Sequence, residues 1–187
     1  IESYKFMCGR YVLSSQEKIK NKFGININVN YNVSPQSIVL VLDNELVPRF
    51  LKWTYTLTWT KKSLNLINAR IESLYEKAFF KNSLRCIFIA DGYFEWKKEK
   101  KFKQPYYHYV KSNLMYFAGI FNQTGCCIVT KKSDSKISHI HHRQPLLLQE
   151  KYFKDWISCN YDFKSIYDET LHYHEVSTEV NVPNNNS

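Results

Sequence analysis

Short strand-like segments recur along most of this chain, and few stretches have the spacing of an amphipathic helix. Runs of β-branched and aromatic residues predict strands at 37–42, 47–57, 85–96, 106–110, 114–121, 126–130 and 172–176. Helical spacing occurs at 71–78 and 150–157, and a Ser14-x-x-Glu17 capping box predicts a helix that ends at Gly24. Asp91-Gly92 predicts a hairpin turn inside the 85–96 run. This order predicts one α+β domain with a strongly curved antiparallel β-sheet or barrel-like core and peripheral helices.

The composition is that of a globular protein with excess positive charge. Hydrophobic residues make up 44% of the chain and charged residues 23%, which excludes wholesale disorder. No apolar run approaches the roughly 20 residues of a membrane helix, so we expect a soluble domain with no membrane partner. The cysteine count is odd and no C-x-x-C occurs, which favours a reducing intracellular compartment. The net charge of +9 favours anionic partners, and 16% aromatic residues offer faces for stacking single-stranded nucleic acid.

The first candidate for chemistry is Cys8, which directly follows Met7. If Met7 were removed, Cys8 would carry both a thiol and a free α-amine, whose pKa of about 7.7–8.0 leaves a neutral fraction near pH 7.5. Such a 1,2-aminothiol condenses with an aldehyde to a Schiff base and then closes a thiazolidine ring. The alternative, for this residue taken alone, is one more buried structural cysteine.

Two further segments join polar groups to aromatic or cationic neighbours. In Asn68-Ala69-Arg70, the arginine can hold a phosphate and the amide can bond a sugar, whereas a helix cap with a surface ion pair is the simpler interpretation. In the segment 91–96, strand alternation places Tyr93 and Glu95 on one face. A carboxyl group among aromatic rings has a raised pKa that suits proton transfer, while an exposed edge-strand glutamate is the alternative.

A histidine-rich segment, 139–145, is the fourth candidate. Strand alternation would put His139 and His141 on one face, so zinc must be considered. No cysteine or acidic residue lies at short ligand spacing, and we therefore expect no metal. A thiol-peptidase pairing of histidine with cysteine has no local sequence signature here.

Together, these segments resemble one family in their order along the chain. The resemblance is to the SOS-response-associated peptidase (SRAP) family, proteins that crosslink to abasic sites in DNA. The matching blocks are MCGRY (7–11), YNVSP (31–35), INARIES (67–73), ADGYFEWKK (90–98), QPYY (104–107), FAGI (117–120), IVT (128–130), HIHHRQPLLL (139–148) and EVSTEVN (175–181). They span nearly the whole chain, and as an ordered set they are highly specific.

The resemblance implies a mechanism and a set of site residues. Cys8 would be the N-terminal nucleophile that links to the ring-opened aldehyde of an abasic site in single-stranded DNA. His141 would move protons at the sugar oxygen, Glu95 would be acid and base for the amine and aid reversal, and Asn68 would position the cysteine or the sugar. The implied DNA contacts are phosphates at Arg10 and Arg70, and bases stacked on Trp59 and Trp96. The implied protein is a monomer with a basic concave groove, and it needs no cofactor or metal.

The resemblance also predicts the domain limits and leaves alternatives. Residues 1–6 are expected to be an upstream extension or artefact, 7–181 the domain, and 182–187 a polar tail. If the extension stays attached, no thiazolidine can form; self-cleavage by the same cysteine is a second route to the free amine. The family's W-G-x-x-P-x-W turn lacks its glycine and proline in residues 53–59. The alternative functions are a non-covalent single-stranded DNA binder and a cysteine peptidase that uses Cys8 and His141.

Overall fold

The computed structural model describes residues 8–57, 64–111, 113–162 and 167–182 of the chain. Trp59 and the expected extension 1–6 lie outside these ranges, as do residues 183–187 of the expected tail. The strands are β1 (Arg10–Leu13), β2 (Asn30–Val33), β3 (Ile38–Leu42), β4 (Pro48–Lys52), β5 (Tyr55–Leu57), β6 (Leu64–Leu66), β7 (Asn68–Arg70), β8 (Leu84–Ala90), β9 (Gly92–Lys98), β10 (Lys103–Tyr109), β11 (Met115–Asn122), β12 (Gly125–Lys132), β13 (Arg143–Pro145) and β14 (His172–Glu175). The helices are α1 (Gln16–Phe23), α2 (Ile71–Glu76) and α3 (Phe153–Ile157), with 3-10 turns at Ala78–Phe80, Glu150–Tyr152 and Thr178–Asn181.

The strands form two main sheets. The first has the order β14-β10-β9-β1-β2, and the second has the order β13-β12-β11-β8-β3-β4. The pairs within these two orders are antiparallel, and β7 adds to β12 in parallel. A short antiparallel pair, β5 and β6, stands beside them. The α+β prediction is confirmed, and the antiparallel sheets of the described residues stay open rather than close into a barrel.

The core lies between the two main sheets, where aromatic rings meet. β8, β11 and β12 are buried along most of their length, as their nearly continuous apolar sequences require. Tyr11 from the first sheet contacts the rings of Trp53, Phe88 and Phe117 at centroid distances of 5.4, 6.5 and 6.1 Å. Edge-to-face packing of this kind gives large apolar burial a defined geometry. The core therefore fixes β1, which follows directly on Cys8, against the second sheet.

The predicted hairpin at Asp91-Gly92 is wrong. β8 pairs with β11 and β3, whereas β9 pairs with β10 and β1, so the chain crosses from one sheet to the other at Asp91. The Asp91 carboxylate accepts hydrogen bonds from the main-chain N–H of Ser14 and of Ser15 at 2.5 and 3.0 Å, and its own N–H donates to Val12 O at 2.8 Å. These bonds hold Asp91 against the start of α1, which prevents the chain from reversing on itself.

The capping box expected at Ser14 and Glu17 does not form. α1 begins at Gln16, and its N-cap residue Ser15 makes no side-chain capping bond. Both serine hydroxyls instead donate to the Asp91 carboxylate. The predicted end of the helix is confirmed, since Gly24 adopts the left-handed conformation with φ 68°.

Gly92 allows β9 to lie close to β10, and we expect its replacement to disturb the strand that carries Glu95. A Cβ at Gly92 would lie 2.5 Å from the main-chain oxygen of His108 and 2.4 Å from Tyr107 Oη. Because β10 would have to move, Gly92→Ala should destabilise the fold by about 3 kcal/mol. Gly24→Ala is the matched control: no atom lies within 4 Å of its Cβ, and only the left-handed backbone penalty of about 1 kcal/mol applies. Denaturant unfolding of both variants tests this, and equal losses would contradict it.

Candidate active site

Cys8 and Glu95 meet at the start of the first strand. Pairing of β1 with β9, with Arg10 opposite Phe94, brings the chain before β1 beside Glu95. The main-chain nitrogen of Cys8 donates a hydrogen bond to Glu95 Oε2 at 3.0 Å. Both residues are buried, with 1% and 3% of their surface exposed, and Cys8 has a positive φ of 43°. The predicted alternation in β9 agrees with the ring contacts, since Tyr93 packs on Phe117 of the core while Phe94 packs on Trp96. Glu95 is buried in a strand paired on both sides, so it is not an exposed edge-strand residue.

Burial controls the protonation of both groups. It raises the pKa of Glu95 to about 8, although hydrogen bonds from the Cys8 and Trp96 main chain and the charge of Lys103 favour the carboxylate. Burial also raises the pKa of the Cys8 thiol, and the nearby Glu95 charge raises it further. At neutral pH the site therefore holds a protonated thiol next to a carboxyl group that can give or take a proton.

His141 lies on the other side of Glu95. Its Nδ1 atom is 3.9 Å from Glu95 Oε1, and it lies 3.2 Å from the main-chain N and 3.1 Å from the main-chain O of Arg143. Burial lowers the pKa of His141, the hydrogen bond with the Arg143 main chain raises it in part, and the positive charges of Arg143 and Lys103 lower it further. The imidazole is therefore neutral near pH 7 and can exchange a proton with a bound molecule.

The expected strand alternation of His139 and His141 is wrong. The chain forms turns here, with main-chain bonds of 3.0 Å from Ser138 N to Asp134 O and from Ile140 N to Ile137 O. The His139 ring packs 5.7 Å from Tyr173, whereas the His141 ring packs 4.5 Å from His142. Within the described part of the chain, no group of three or more histidine, cysteine, aspartate or glutamate residues could hold a metal ion.

Asn68 supplies an unused hydrogen-bond donor. It opens β7, where it pairs in parallel with Ile128 of β12. Its Nδ2 atom is buried and has no partner among the described residues. The alternative of an asparagine helix cap is wrong, since Arg70 is the N-cap residue of α2. A buried amide of this kind is available to a molecule that enters the site.

Arg10 and Trp96 contact Val180 and Asn181, which we call the closing segment. The Arg10 guanidinium donates to Val180 O at 2.7 Å and to Asn32 Oδ1 at 2.9 Å, and lies 6.0 Å from the Trp96 ring. Trp96 Nε1 donates to Asn181 Oδ1 at 2.6 Å. Burial lowers the pKa of Arg10.

Of the other two residues expected to contact DNA, the structure describes only Arg70. The side chain of Arg70 is exposed, and Trp59 lies outside the described residues. Trp53, the first tryptophan of the altered turn, is a core residue: it is fully buried and its indole N–H donates to Ile67 O at 2.9 Å.

Sequence reasoning did not identify Arg143 as part of the site. Its guanidinium forms a two-pronged ion pair with Glu72 of α2, with N–O distances of 2.8 and 2.9 Å. The sequence did contain one indication of this pair. The block INARIES carries Glu72, the block HIHHRQPLLL carries Arg143, and both blocks also contain candidate site residues. Sequence spacing alone could not show that these blocks meet.

Comparison with known proteins identifies the family. A model described as SOS response associated peptidase (SRAP) matches residues 7–183. Abasic site processing protein YoqW of Bacillus subtilis (strain 168) is 33% identical, over 97% of this chain and 97% of its own. Abasic site processing protein YedK of Escherichia coli (strain K12) is 35% identical over 68% of this chain and 64% of its own. The HMCES protein of Xenopus tropicalis, also named an abasic site processing protein, is 28% identical over 84% and 64%.

Solved structures agree with the fold. A crystal structure of a protein from Bacteroides thetaiotaomicron, 21% identical, aligns with a TM-score of 0.75 over 95% of this chain and 96% of that one. One from Bordetella bronchiseptica, 20% identical, aligns with a TM-score of 0.73 over 91% and 100%. None of the helices in the described ranges is long and apolar enough to span a membrane. From the family match and the similarity to YoqW along both chains, this chain belongs to the SOS response associated peptidase (SRAP) family.

Proposed function

We propose that this protein processes abasic sites in DNA by linking Cys8 covalently to the opened sugar. The observation that carries the proposal is the 3.0 Å contact between the Cys8 nitrogen and the buried carboxyl group of Glu95. This contact places a carboxyl group, which can accept or donate a proton, within hydrogen-bond distance of the nitrogen that must attack the aldehyde. The names of the relatives, abasic site processing proteins, support the substrate class.

The proposed reaction joins an aldehyde and an aminothiol with loss of one water. The free amine of Cys8 attacks the aldehyde carbon of the ring-opened deoxyribose and forms a carbinolamine. Proton transfer to its hydroxyl group releases water and leaves a protonated Schiff base. The Cys8 sulfur then adds to the same carbon while the thiol proton leaves, which closes a five-membered thiazolidine ring. Nothing is oxidised or reduced, and the chain's own side chains can supply every proton transfer.

Burial of the thiol sets the order of these steps. The raised pKa of Cys8 keeps its sulfur protonated at neutral pH, so the thiol is a weak nucleophile at first. The amine, with an ordinary pKa of about 7.7–8.0, retains a reactive neutral fraction. The amine therefore attacks first, and the sulfur adds only to the more electrophilic Schiff base.

Glu95, His141 and Asn68 have distinct roles in this proposal. Glu95 takes the proton from the attacking amine and returns one when the ring reopens, which its pKa of about 8 allows. Neutral His141 moves protons to and from the sugar oxygen, and its Nδ1 atom lies 3.9 Å from Glu95. Asn68 uses its unpartnered Nδ2 to bond the sugar or to orient the cysteine.

We propose that single-stranded DNA lies along a basic face that includes Arg10 and Arg70. The net charge of +9 supports binding of an anionic strand. Trp96 and Trp59 are proposed to stack on the flanking bases. We also propose that the protein acts as a monomer and without a cofactor.

The reaction requires a free amine, so the peptide bond between Met7 and Cys8 must be absent in the reacting form. We propose that the chain acts from Cys8 after removal of Met7. Self-cleavage before Cys8 is the second route, in which the same cysteine attacks its own chain. Both routes give one product, a chain that begins at Cys8.

We expect the chain that begins at Cys8 to become covalently linked to DNA that contains an abasic site. Intact mass spectrometry after incubation with an abasic single-stranded oligonucleotide should show the sum of the two masses less one water. Cys8→Ala should abolish this species, because both the thiol and its placement next to the amine are needed. Cys159→Ala is the matched control, since Cys159 is exposed and free, and should react like the wild type.

The same measurement separates the alternative functions. A chain that binds intact and abasic strands equally, with salt-dependent affinity and no added mass, would be a non-covalent binder. Turnover of peptide substrates that depends on Cys8 and His141 and ignores DNA would indicate a cysteine peptidase. Either outcome would contradict the proposed crosslink.

Reversal of the crosslink should depend on the protonated form of Glu95. Because burial raises its pKa to about 8, the carboxyl group is protonated below that pH and loses its proton as the pH rises through it. The reversal rate of the wild type should therefore fall above about pH 8. Glu95→Gln should still form the crosslink, but more slowly, and should reverse it about 10²–10⁴-fold more slowly than the wild type. Release of the oligonucleotide from purified crosslink, followed between pH 6 and 9.5, measures both effects.

Glu150→Gln is the control for this experiment, since Glu150 is half exposed and ion-paired with Lys22. It should keep both the wild-type reversal rate and its pH profile. A Glu95→Gln protein that reverses as fast as the wild type, with the same fall above pH 8, would assign the proton to another group.

A further inference from the structure

Two tyrosines lie side by side in the first sheet with hydroxyl groups that no other group binds. Tyr11 of β1 is directly opposite Tyr93 of β9, and 0% and 1% of their surfaces are exposed. Neither Oη atom has a hydrogen-bond partner among the described residues. Burial of a hydroxyl group without a partner is unfavourable, because the group loses its water and gains nothing in exchange. Each of these two hydroxyl groups therefore needs a physical explanation.

The Tyr93 ring is held on two sides and cannot turn toward a partner. It stacks on the ring of His108, which is opposite it on β10, with centroids 4.6 Å apart and planes inclined by 9°. It also meets the Phe117 ring edge to face at 5.8 Å. Contacts of this kind give a ring one defined position. A hydrogen-bond partner must therefore come to the hydroxyl group.

The Tyr93 hydroxyl group lies near the reacting groups. Tyr93 and Glu95 are two residues apart on one face of β9, a separation of about 6.6 Å along a strand. Burial raises the pKa of Tyr93, and negative charge on Cys8, Glu95 and Asp134 raises it further. Asp134 belongs to the loop between β12 and β13, which also carries His141. The hydroxyl group therefore faces the candidate active site and keeps its proton, so it is a hydrogen-bond donor.

Tyr11 differs from Tyr93 in what surrounds it. Its ring packs on Trp53, Phe88 and Phe117. Burial raises the pKa of Tyr11, and the charge that raises it further is that of Cys126 on β12. The Tyr11 side chain therefore belongs to the core between the sheets, and nothing in the structure gives its hydroxyl group a role.

We propose that Tyr93 is a further catalytic residue, whose hydroxyl group donates a hydrogen bond to the aldehyde oxygen of the opened sugar. The inference rests on the proposed reaction with an abasic site and adds a contact to one atom of that substrate. The substrate oxygen would be the missing partner of the buried hydroxyl group. The free protein carries the unfavourable burial, and the bound sugar relieves it.

The donor acts while the new carbon–nitrogen bond forms. As the amine of Cys8 attacks the aldehyde carbon, the π electron pair of the carbonyl group moves to its oxygen, which gains negative charge. Tyr93 stabilises this charge and retains its own proton. Glu95 passes on the proton taken from the amine, which converts the oxygen to the carbinolamine hydroxyl group. A donor fixed in advance stabilises such an oxygen better than mobile water does.

The first test compares two variants that each lose one buried hydroxyl group. Tyr93→Phe should slow crosslink formation by about 10²-fold, because one donor to a developing negative oxygen is lost. Tyr11→Phe is the matched control and should react at the wild-type rate. Both variants should unfold at or above the wild-type temperature, since each removes a hydroxyl group that has no partner in the free protein. Time courses with an abasic oligonucleotide and thermal unfolding measure these effects.

Two results of this test would overturn the inference. A wild-type rate in Tyr93→Phe would mean that the hydroxyl group does not contact the reacting oxygen. Equal slowing in Tyr93→Phe and Tyr11→Phe would mean that the loss comes from core packing.

The second test needs no covalent reaction. In the Cys8→Ala chain, binding is compared for an intact strand and for the same strand with its abasic sugar reduced to the open-chain alcohol. The C1 hydroxyl group of that alcohol takes the place of the aldehyde oxygen and cannot react. Adding Tyr93→Phe should weaken binding of the reduced strand by about 3- to 10-fold and leave binding of the intact strand unchanged. Adding Tyr11→Phe should change neither.

These experiments separate the inference from the proposed function. If the wild type crosslinks, the rate of Tyr93→Phe decides, and a normal rate overturns the inference while the proposed function stands. If the wild type never crosslinks, the proposed covalent reaction is wrong, and binding of the reduced strand decides instead. Equal affinity of Tyr93→Phe and its parent chain for that strand would then overturn the contact with the sugar.

Discussion

The enclosure of one carboxyl group beside a main-chain nitrogen organises this site. Glu95 would be an ordinary acid in water, but burial makes its ionised form unfavourable and brings its pKa to about 8. The bond from the Cys8 nitrogen then stabilises the ionised form in part. A group balanced in this way can both accept and donate a proton near neutral pH, which a reversible condensation with an aldehyde needs at successive steps.

The two-sheet architecture makes this enclosure possible. The chain crosses between the sheets at Asp91, so β9 leaves the second sheet and joins β1 and β10 in the first. A hairpin at that point would have kept Glu95 next to β8, away from Cys8. Gly92 permits the crossing because a side chain there would collide with β10. The local conformation at two residues thus decides which carboxyl group meets the cysteine.

Much of this could be predicted from the sequence, and the failures have physical causes. The α+β class and the shared face of Tyr93 and Glu95 followed from periodicity in the sequence, whereas the choice between a buried and an exposed Glu95 needed the structure. The hairpin at Asp91 was wrong because a turn signal does not tell whether the chain reverses or changes sheet. The alternation of the histidines was wrong because His141 lies on a turn held by distant contacts. The bond between Arg143 and Glu72 joins residues 71 positions apart, which local patterns cannot detect.

Arg10 and Arg143 differ in whether a carboxylate balances their positive charge. Arg143 faces the Glu72 carboxylate, so its charge is matched and its donors are occupied in a closed position. Arg10 also makes several hydrogen bonds, but they go to amide oxygens of Asn32 and the closing segment, which carry no net charge. Its positive potential therefore extends toward solvent beside the Trp96 ring. An anion would gain charge attraction at Arg10 that amide oxygens cannot offer, and this is the physical basis on which Arg10 is proposed as a phosphate contact.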